Sequence, residues 1–406
     1  MPPRRIAWAV AIVAALTMTV SYVDRATLAI LAPSVTRALG ISETAYGTLV
    51  SAFSLAYLVS VPLSGWWIDR AGARRGLVVS VLLWSVVAAF HAAVPGFGAL
   101  LVARVSLGLA EGPGFPGGAQ TIGRVLPPGD RSRGFGFLIS GATFGSMIAA
   151  PLASTLYDAG GWRFAFLGTA ASGVLWIVPW VLLTRRADVR SAIDSASTPE
   201  SASTERPRLL QVLKHPLMLR ALAAILAVTP VTGFVGSWAA KVLARSFAVQ
   251  QGAMGHYLWL PNLGFDMGAI LFGDLATRQV RAPGAPPRAL HLAAATLTAC
   301  VALLVFASSA WQATACFVLC MAGGGAVWTL VTADLLARLP QSRASFAAGV
   351  LTGALSLANI IAQPLIGRAV DLTGRYDGIA LALAAWVVPG SLVWFAWRPP
   401  PARPSP

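Results

Sequence analysis

Twelve apolar stretches, each about as long as a bilayer-spanning helix, limit what this chain can fold into. They run at about 6–32, 45–68, 76–94, 99–126, 134–157, 163–184, 218–243, 253–277, 288–309, 311–337, 345–368 and 378–397. A helix needs about 20 mainly apolar residues to cross a membrane. Hydrophobic residues make up 56% of the chain and charged ones only 11%, against about 25% charged in soluble domains. Inside hydrocarbon a helix satisfies its own backbone polar groups. The expectation is an all-α membrane protein with twelve transmembrane helices and the lipid bilayer as its first partner.

The longest hydrophilic interval, Arg185 to His215, separates the sixth stretch from the seventh. Its Ser/Ala/Thr-rich centre reads as a flexible linker. The domain reading is therefore a six-helix bundle over 1–185, a linker over 186–215, a second six-helix bundle over 216–398 and a tail over 399–406. Arg4 and Arg5 precede an apolar run reaching Leu31, which reads as a first spanning helix that stays, not a cleaved signal.

The net charge of +15 would point to nucleic acid in a soluble protein, but its position along the chain gives another cause. Twenty-two of the thirty basic residues fall in the termini and alternate loops on the N-terminal side of the membrane. By the positive-inside rule both termini are cytoplasmic, and no nucleic-acid partner is expected. Cys300, Cys316 and Cys320 lie in apolar segments without a histidine or carboxylate beside them, so neither a disulfide framework nor a metal site is read. No nucleotide-binding loop or nucleophile–base arrangement occurs. The chain is read as a non-enzyme without cofactor. Trp66, Trp67, Trp84, Trp162, Trp176 and Trp180 read mostly as interface-belt or lipid-facing residues.

A few ionisable residues break the apolar pattern. Asp24 and Arg25 stand side by side in the first stretch, where each charge costs about 2.5–3.5 kcal/mol on insertion scales. They are either a working pair or a neutralising pair that only holds helices together. Helix four carries Arg104 and Glu111, two turns apart on one face, in a run where Gly108, Gly112 and Gly114 permit close approach and Pro113 and Pro116 loosen the backbone. Glu111 on such a helix suits proton carriage; the alternative is a fixed Arg–Glu clamp. In the second half, Lys241 is either a cationic contact for an anion or a lysine snorkelling from a helix end. Asn262, Asn359 and Gln363 suit sugar hydroxyls or a broken helix backbone.

Several motifs resemble a known family. Gly65-Trp-Trp-Ile-Asp69-Arg70-Ala-Gly72-Ala-Arg74-Arg75 is similar to the loop 2–3 signature of the major facilitator superfamily, whose acid and arginines latch the cytoplasmic ends of two six-helix halves. Tyr22-Val-Asp24-Arg25, Ser51-Ala-Phe53-Ser-Leu-Ala-Tyr57, Arg104…Gly108…Glu111…Phe115-Pro116-Gly117 and Gly161-Trp162-Arg163 resemble its anion:cation symporter family. Trp238-Ala-Ala-Lys241 and Pro261-Asn262-Leu263-Gly-Phe-Asp266-Met-Gly268 resemble the hexuronate, or sugar-acid, branch. The resemblance implies two pseudo-symmetric bundles and a proton-coupled symporter for a small organic anion. It implies Arg25 and Tyr57 as carboxylate ligands; Tyr22, Lys241, Trp238, Asn262, Asn359 and Gln363 are read as the further candidates for the substrate site. Asp24 and Glu111 would carry coupling protons, Arg104 would tune Glu111, and Gly65, Asp69, Arg70, Gly72, Arg74 and Arg75 would form the cytoplasmic gate motif. Sugar-acid members often carry a helix-five glutamine where this chain has Ala142.

The expectation is a monomeric importer in a bacterial inner membrane, with protons as the coupling ion and no metal. An aromatic-acid symporter, a drug/proton exporter and a non-transporting membrane sensor are the rival readings.

Overall fold

The computed structural model describes residues 2–194, 214–279, 286–339 and 341–397, apart from the side chains of 341–346. Every regular element among them is helical. The first six helices are α1 (Arg4–Ala38), α2 (Glu43–Ala71), α3 (Ala73–Phe90), α4 (Phe97–Glu111), α5 (Gly114–Val125) and α6 (Pro128–Thr184). A short α7 (Ala187–Asp194) follows, then α8 (Pro216–Phe247), α9 (Leu260–Arg278), α10 (Arg288–Ala299), α11 (Ala310–Leu336), α12 (Gln341–Thr373) and α13 (Asp377–Ala396).

These helices coincide with the apolar stretches, and nine of those described are long and apolar enough to cross a membrane. The difference from twelve has local causes. The fourth stretch is cut into α4 and α5 at Gly112-Pro113, because proline brings no N–H and crowds the preceding turn. The fifth and sixth run together as α6, interrupted at Gly160 and Gly161, where Gly161 takes a φ of 76°, a positive value that glycine adopts without strain. In α9, Asn262, Asp266 and Asp274 dilute the apolar run.

The chain divides into two compact units, residues 1–198 with 244–259 and residues 199–243 with 260–406, of which the residues given above are described. The 244–259 segment falls in the first unit. There Gln251 donates to the Ile30 carbonyl at 2.7 Å and accepts from Ser34 Oγ at 3.0 Å. Two glycines bring the helices of this unit close. A β-carbon at 145 would strike the Thr19 backbone of α1, and one at 108 would meet the Phe53 carbonyl of α2 at 2.6 Å. Both sites therefore need glycine for backbone-to-backbone contact.

Trp84, Trp176 and Trp180 correct the sequence reading. All three are buried in the first unit. Trp176 and Trp180 stack at 5.2 Å and donate their indole N–H to the carbonyls of Val13 and Arg74, at 2.7 and 3.1 Å. An indole can enter a core once its one donor is satisfied. Trp66 and Trp67 are exposed, as the belt reading expects.

The interval read as a flexible linker begins with helix α7. Val189 and Ile193, four residues apart and thus on one face, are both buried in the core that contains Leu77 and Trp180. Asp194 pairs with Arg74 at 3.1 Å, and Arg124 donates to the Ile193 carbonyl. The rest of that interval (195–213), the tail, and Arg206, Arg208, Arg281, Arg398 and Arg403 from the charge count lie outside the described residues, as does the Arg343 side chain.

Removing a buried branched side chain costs about 2–5 kcal/mol. Ile193→Ala should accordingly lower the thermal unfolding midpoint of the detergent-solubilised protein measurably. An unchanged midpoint would mean that α7 does not dock.

Candidate functional site

Within the first unit the charged residues of α1 and α4 meet. Ser21 and Arg25 are one turn apart on α1, so they share a face, and that face meets the last residue of α4. Arg25 places Nε and Nη2 each 2.9 Å from Oε2 of Glu111. Ser21 Oγ donates to the same oxygen at 2.8 Å. The other carboxylate oxygen, Oε1, accepts nothing although it is buried. Glu111 has no exposed side-chain surface, whereas the Arg25 side chain keeps 17%. The pair is sealed on the acid side and open on the guanidinium side.

Aromatic rings box in that guanidinium. Its Cζ lies 4.2 Å from the Tyr57 ring centroid, 4.5 Å from that of Tyr22 and 5.0 Å from that of Phe53, within the range where the negative ring faces attract a cation. Phe53 and Tyr57 stack on each other along α2 at 6.0 Å. Phe53 also lies under Arg104, 4.5 Å from its Cζ. One ring thus stands against two guanidinium groups.

Asp24 points elsewhere than its neighbour, as the 100° step of a helix requires. It is 3% exposed, and neither carboxylate oxygen has a hydrogen-bond donor. Arg104 is buried too, and its Nε and Nη1 have no acceptor. The seven residues from Arg104 to Glu111 rise about 10 Å along a helix, and the ion-pair partner of Glu111 is Arg25. Sequence reasoning placed Tyr22, Arg25, Tyr57 and Glu111 together, and the structure gathers them. It missed Ser21 as a ligand of Glu111; its i−4 spacing from Arg25 was the available signal.

The end of α4 explains how Glu111 is held. In an unbroken helix the Leu109 carbonyl would accept from the amide of residue 113, but Pro113 has none. Ser60 Oγ of α2 donates to that carbonyl instead, at 2.6 Å, and lies 3.3 Å from Ser64 Oγ. The carbonyl that Pro113 cannot serve is therefore satisfied from α2.

The gate-motif residues occupy the turn between α2 and α3. Gly65 lies within α2, and Gly72 takes a φ of 73° between the helices. Asp69 accepts from Gln120 Nε2 at 2.9 Å, while Gln120 Oε1 accepts the Ala73 amide at 3.2 Å. Arg70 covers the Trp66 ring at 4.2 Å, Arg74 pairs with Asp194, and Arg75 is exposed. Gln120, which bridges the motif, was not singled out from the sequence. His91 is buried, bonded through Nδ1 to the Val87 carbonyl and stacked on Phe166.

The remaining candidates belong to the second unit. Trp238 of α8 is fully buried and donates to Gln363 Oε1 at 2.7 Å. Gln363 of α12, also fully buried, donates to Asn359 Oδ1 at 3.1 Å. Asn359 is half-buried and donates to the Leu355 carbonyl at 3.2 Å. Lys241 is buried, and Asn262 and Asp266 are half-buried on α9. In this conformation Trp238 and Gln363 present no surface to a ligand. Among the described residues no group of three histidine, cysteine or carboxylate side chains stands close enough to hold a metal ion.

The chain is 25% identical to a probable galactarate/D-glucarate transporter of Bacillus subtilis, over 93% of this chain and 89% of that one. It is also 25% identical to the hexuronate transporter of the same organism, over 93% and 90%, and to the hexuronate transporter of Escherichia coli K12, over 66% and 64%. Among solved structures, a bacterial homolog of the human lysosomal transporter Spinster has the same fold. It superposes with a TM-score of 0.80 over 97% of each chain at 17% identity. Residues 14–362 match the sequence model of the Major Facilitator Superfamily, and the chain belongs to that family of membrane transporters.

Proposed function

We propose that this protein is a proton-coupled symporter that imports a hexuronate or related sugar acid by rocker-switch alternating access. The observation that carries the reading is the Arg25–Glu111 pair. The partly exposed guanidinium is committed to a carboxylate that is wholly buried. A substrate carboxylate is the same chemical group as Glu111 and competes for the same planar fork of donors. Protonation of Glu111 removes the competing charge and frees Arg25 for the substrate. Anion binding and proton uptake are then linked, since whatever favours one favours the other. Asp24, buried without a donor, is the second proton site, because an ionised carboxylate in that setting is costly.

Tyr57 and Tyr22, already against the Arg25 guanidinium, contribute hydroxyls to the substrate carboxylate in this reading. Lys241, Asn262 and Asn359 serve the rest of the molecule. The cycle runs from proton uptake outside, through docking of the carboxylate on Arg25, to release after deprotonation inside. The named relatives support the sugar-acid class. The distribution of arginines supports twelve spans with both termini in the cytoplasm, and the bacterial relatives support the inner membrane. The protein is proposed to act as a monomer, with residues 1–185 and 216–398 as its two bundles, and the gate motif to close the cytoplasmic side. Ala142, in place of a hydroxyl-reading glutamine, favours a second reading in which an aromatic acid is carried among the rings around Arg25.

Reconstituted protein under an inward proton gradient should accumulate at least one of labelled glucuronate, galacturonate, galactonate and galactarate in preference to phthalate. Accumulation of phthalate alone would favour the second reading, and uptake of no anion would sink both. Arg25→Ala should abolish uptake and binding, and Arg25→Lys, which keeps the charge but loses the fork, should restore little. Glu111→Gln should retain substrate counterflow but lose accumulation driven by the proton gradient. If that variant still concentrates substrate, Glu111 is not the coupling acid.

A further inference from the structure

We propose that Trp238 and Gln363 are positioning residues that fix the polarity of Asn359, so that Asn359 offers an N–H donor to an acceptor oxygen of the substrate. The proposal rests on the reading of the protein as a carrier of hydroxylated acids.

A tryptophan side chain donates one hydrogen bond and accepts none. Trp238 Nε1 lies 2.7 Å from the Gln363 amide, so the atom facing it must be the Gln363 oxygen. The Gln363 nitrogen is thereby turned towards Asn359, 3.1 Å away, and the atom it meets there must be the Asn359 oxygen. Asn359 Nδ2 is left to donate, and one of its two hydrogens goes to the Leu355 carbonyl on the same helix. A single donor at the buried end of the chain thus determines which way two amides face.

Gly233 of α8 adds a second, independent constraint. A β-carbon there would collide with Asn359 Oδ1 and come within 2.9 Å of Gln363 Nε2. The Asn359 oxygen is therefore packed against the α8 backbone and receives the Gln363 donor as well. With the oxygen so engaged, the group left for a ligand is the second N–H of Nδ2. Leu355, Asn359 and Gln363 recur every four residues and share one face of α12. Only Asn359 of the three polar members Trp238, Gln363 and Asn359 has accessible surface.

A fixed N–H donor selects an oxygen acting as acceptor, whether a hydroxyl oxygen or a second carboxylate oxygen, and gains nothing from a ligand donor. An acid with a methylene at that position leaves the N–H unmet. A wall without the relay, in which the amide flips freely, would accept either polarity.

Two measurements test this. In proteoliposomes, wild-type uptake is compared for a transported sugar acid and its monodeoxy and deoxyfluoro analogues, fluorine being a weak acceptor that cannot donate. At one carbon the deoxyfluoro analogue should keep a lower KM than the deoxy analogue. Trp238→Phe and Gln363→Leu should each raise KM for the parent about three- to tenfold, the worth of one neutral hydrogen bond, with kcat largely kept, and should abolish that preference. Gly233→Ala should do the same by displacing Asn359. Unchanged analogue preference in Trp238→Phe, or an equal KM rise for every analogue, overturns the proposal. The second measurement needs no substrate. In ¹⁵N-tryptophan-labelled protein, the indole resonance identified by its loss in Trp238→Phe should shift in Gln363→Leu and also in Asn359→Asp. A resonance indifferent to both changes overturns the relay. If wild-type protein carries no sugar acid, the functional reading fails, while the indole resonance still decides on the relay.

Discussion

A guanidinium and a carboxylate taken out of water lose several kcal/mol of hydration each, and they repay it only when geometry and further hydrogen bonds are good. The Arg25–Glu111 pair meets that condition on one oxygen. Glu111 Oε2 receives the Arg25 Nε donor and a serine hydroxyl, with Arg25 Nη2 at ion-pair distance, and three aromatic rings surround the cation. Much of the first unit can be understood as what brings those groups within reach. Gly145 lets α6 lie on α1, Gly108 lets α4 lie on α2, and Pro113 ends α4 at the residue that carries the acid. Each device is a small residue or a missing amide, placed where a larger or ordinary residue would hold the helices apart.

The arrangement is asymmetric in a way that matters for transport. A structural ion pair would be satisfied on both oxygens and shielded on both sides. Here one carboxylate oxygen is bare, the neighbouring Asp24 has no donors, Arg104 has unmet donors, and the arginine of the pair retains accessible surface. Retaining so many unpaired polar atoms beside a good pair is costly, and the cost is understandable if the partners change during a cycle. Phe53 lies against both Arg25 and Arg104.

Much of this was legible in the sequence, because the strongest signals were energetic. Charges inside apolar stretches are rare enough that Asp24, Arg25, Arg104 and Glu111 stood out unaided, and the positions of the helices followed from hydropathy. What stayed hidden was mostly pairing. Hydropathy cannot tell a lipid-facing tryptophan from one packed in the core, whether its indole finds a carbonyl, as in Trp176 and Trp180, or is buried without one, as in Trp84, so all three were misplaced. Low-complexity composition masked the two apolar residues of α7, Val189 and Ile193, since one short amphipathic turn is too brief for a periodicity argument. Ser21 and Gln120 are ordinary polar residues on helices, and only three-dimensional contact gives them roles. In the second unit, Trp238 and Gln363 were recognised as polar or aromatic candidates, but burial makes them supports for Asn359.

The Leu109 carbonyl has a further consequence. Where most helices are tied at every step by a backbone bond, α4 closes at the Leu109 carbonyl on a hydroxyl borrowed from α2. Bending at that point breaks no 109–113 backbone hydrogen bond, because Pro113 has no N–H to make one. It asks Ser60 Oγ only to turn from Leu109 towards Ser64, 3.3 Å away. The acid therefore sits beside an articulated joint whose stiffness is set by a neighbouring helix, so a shift of α2 can be felt at Glu111 without unwinding the segment that carries it.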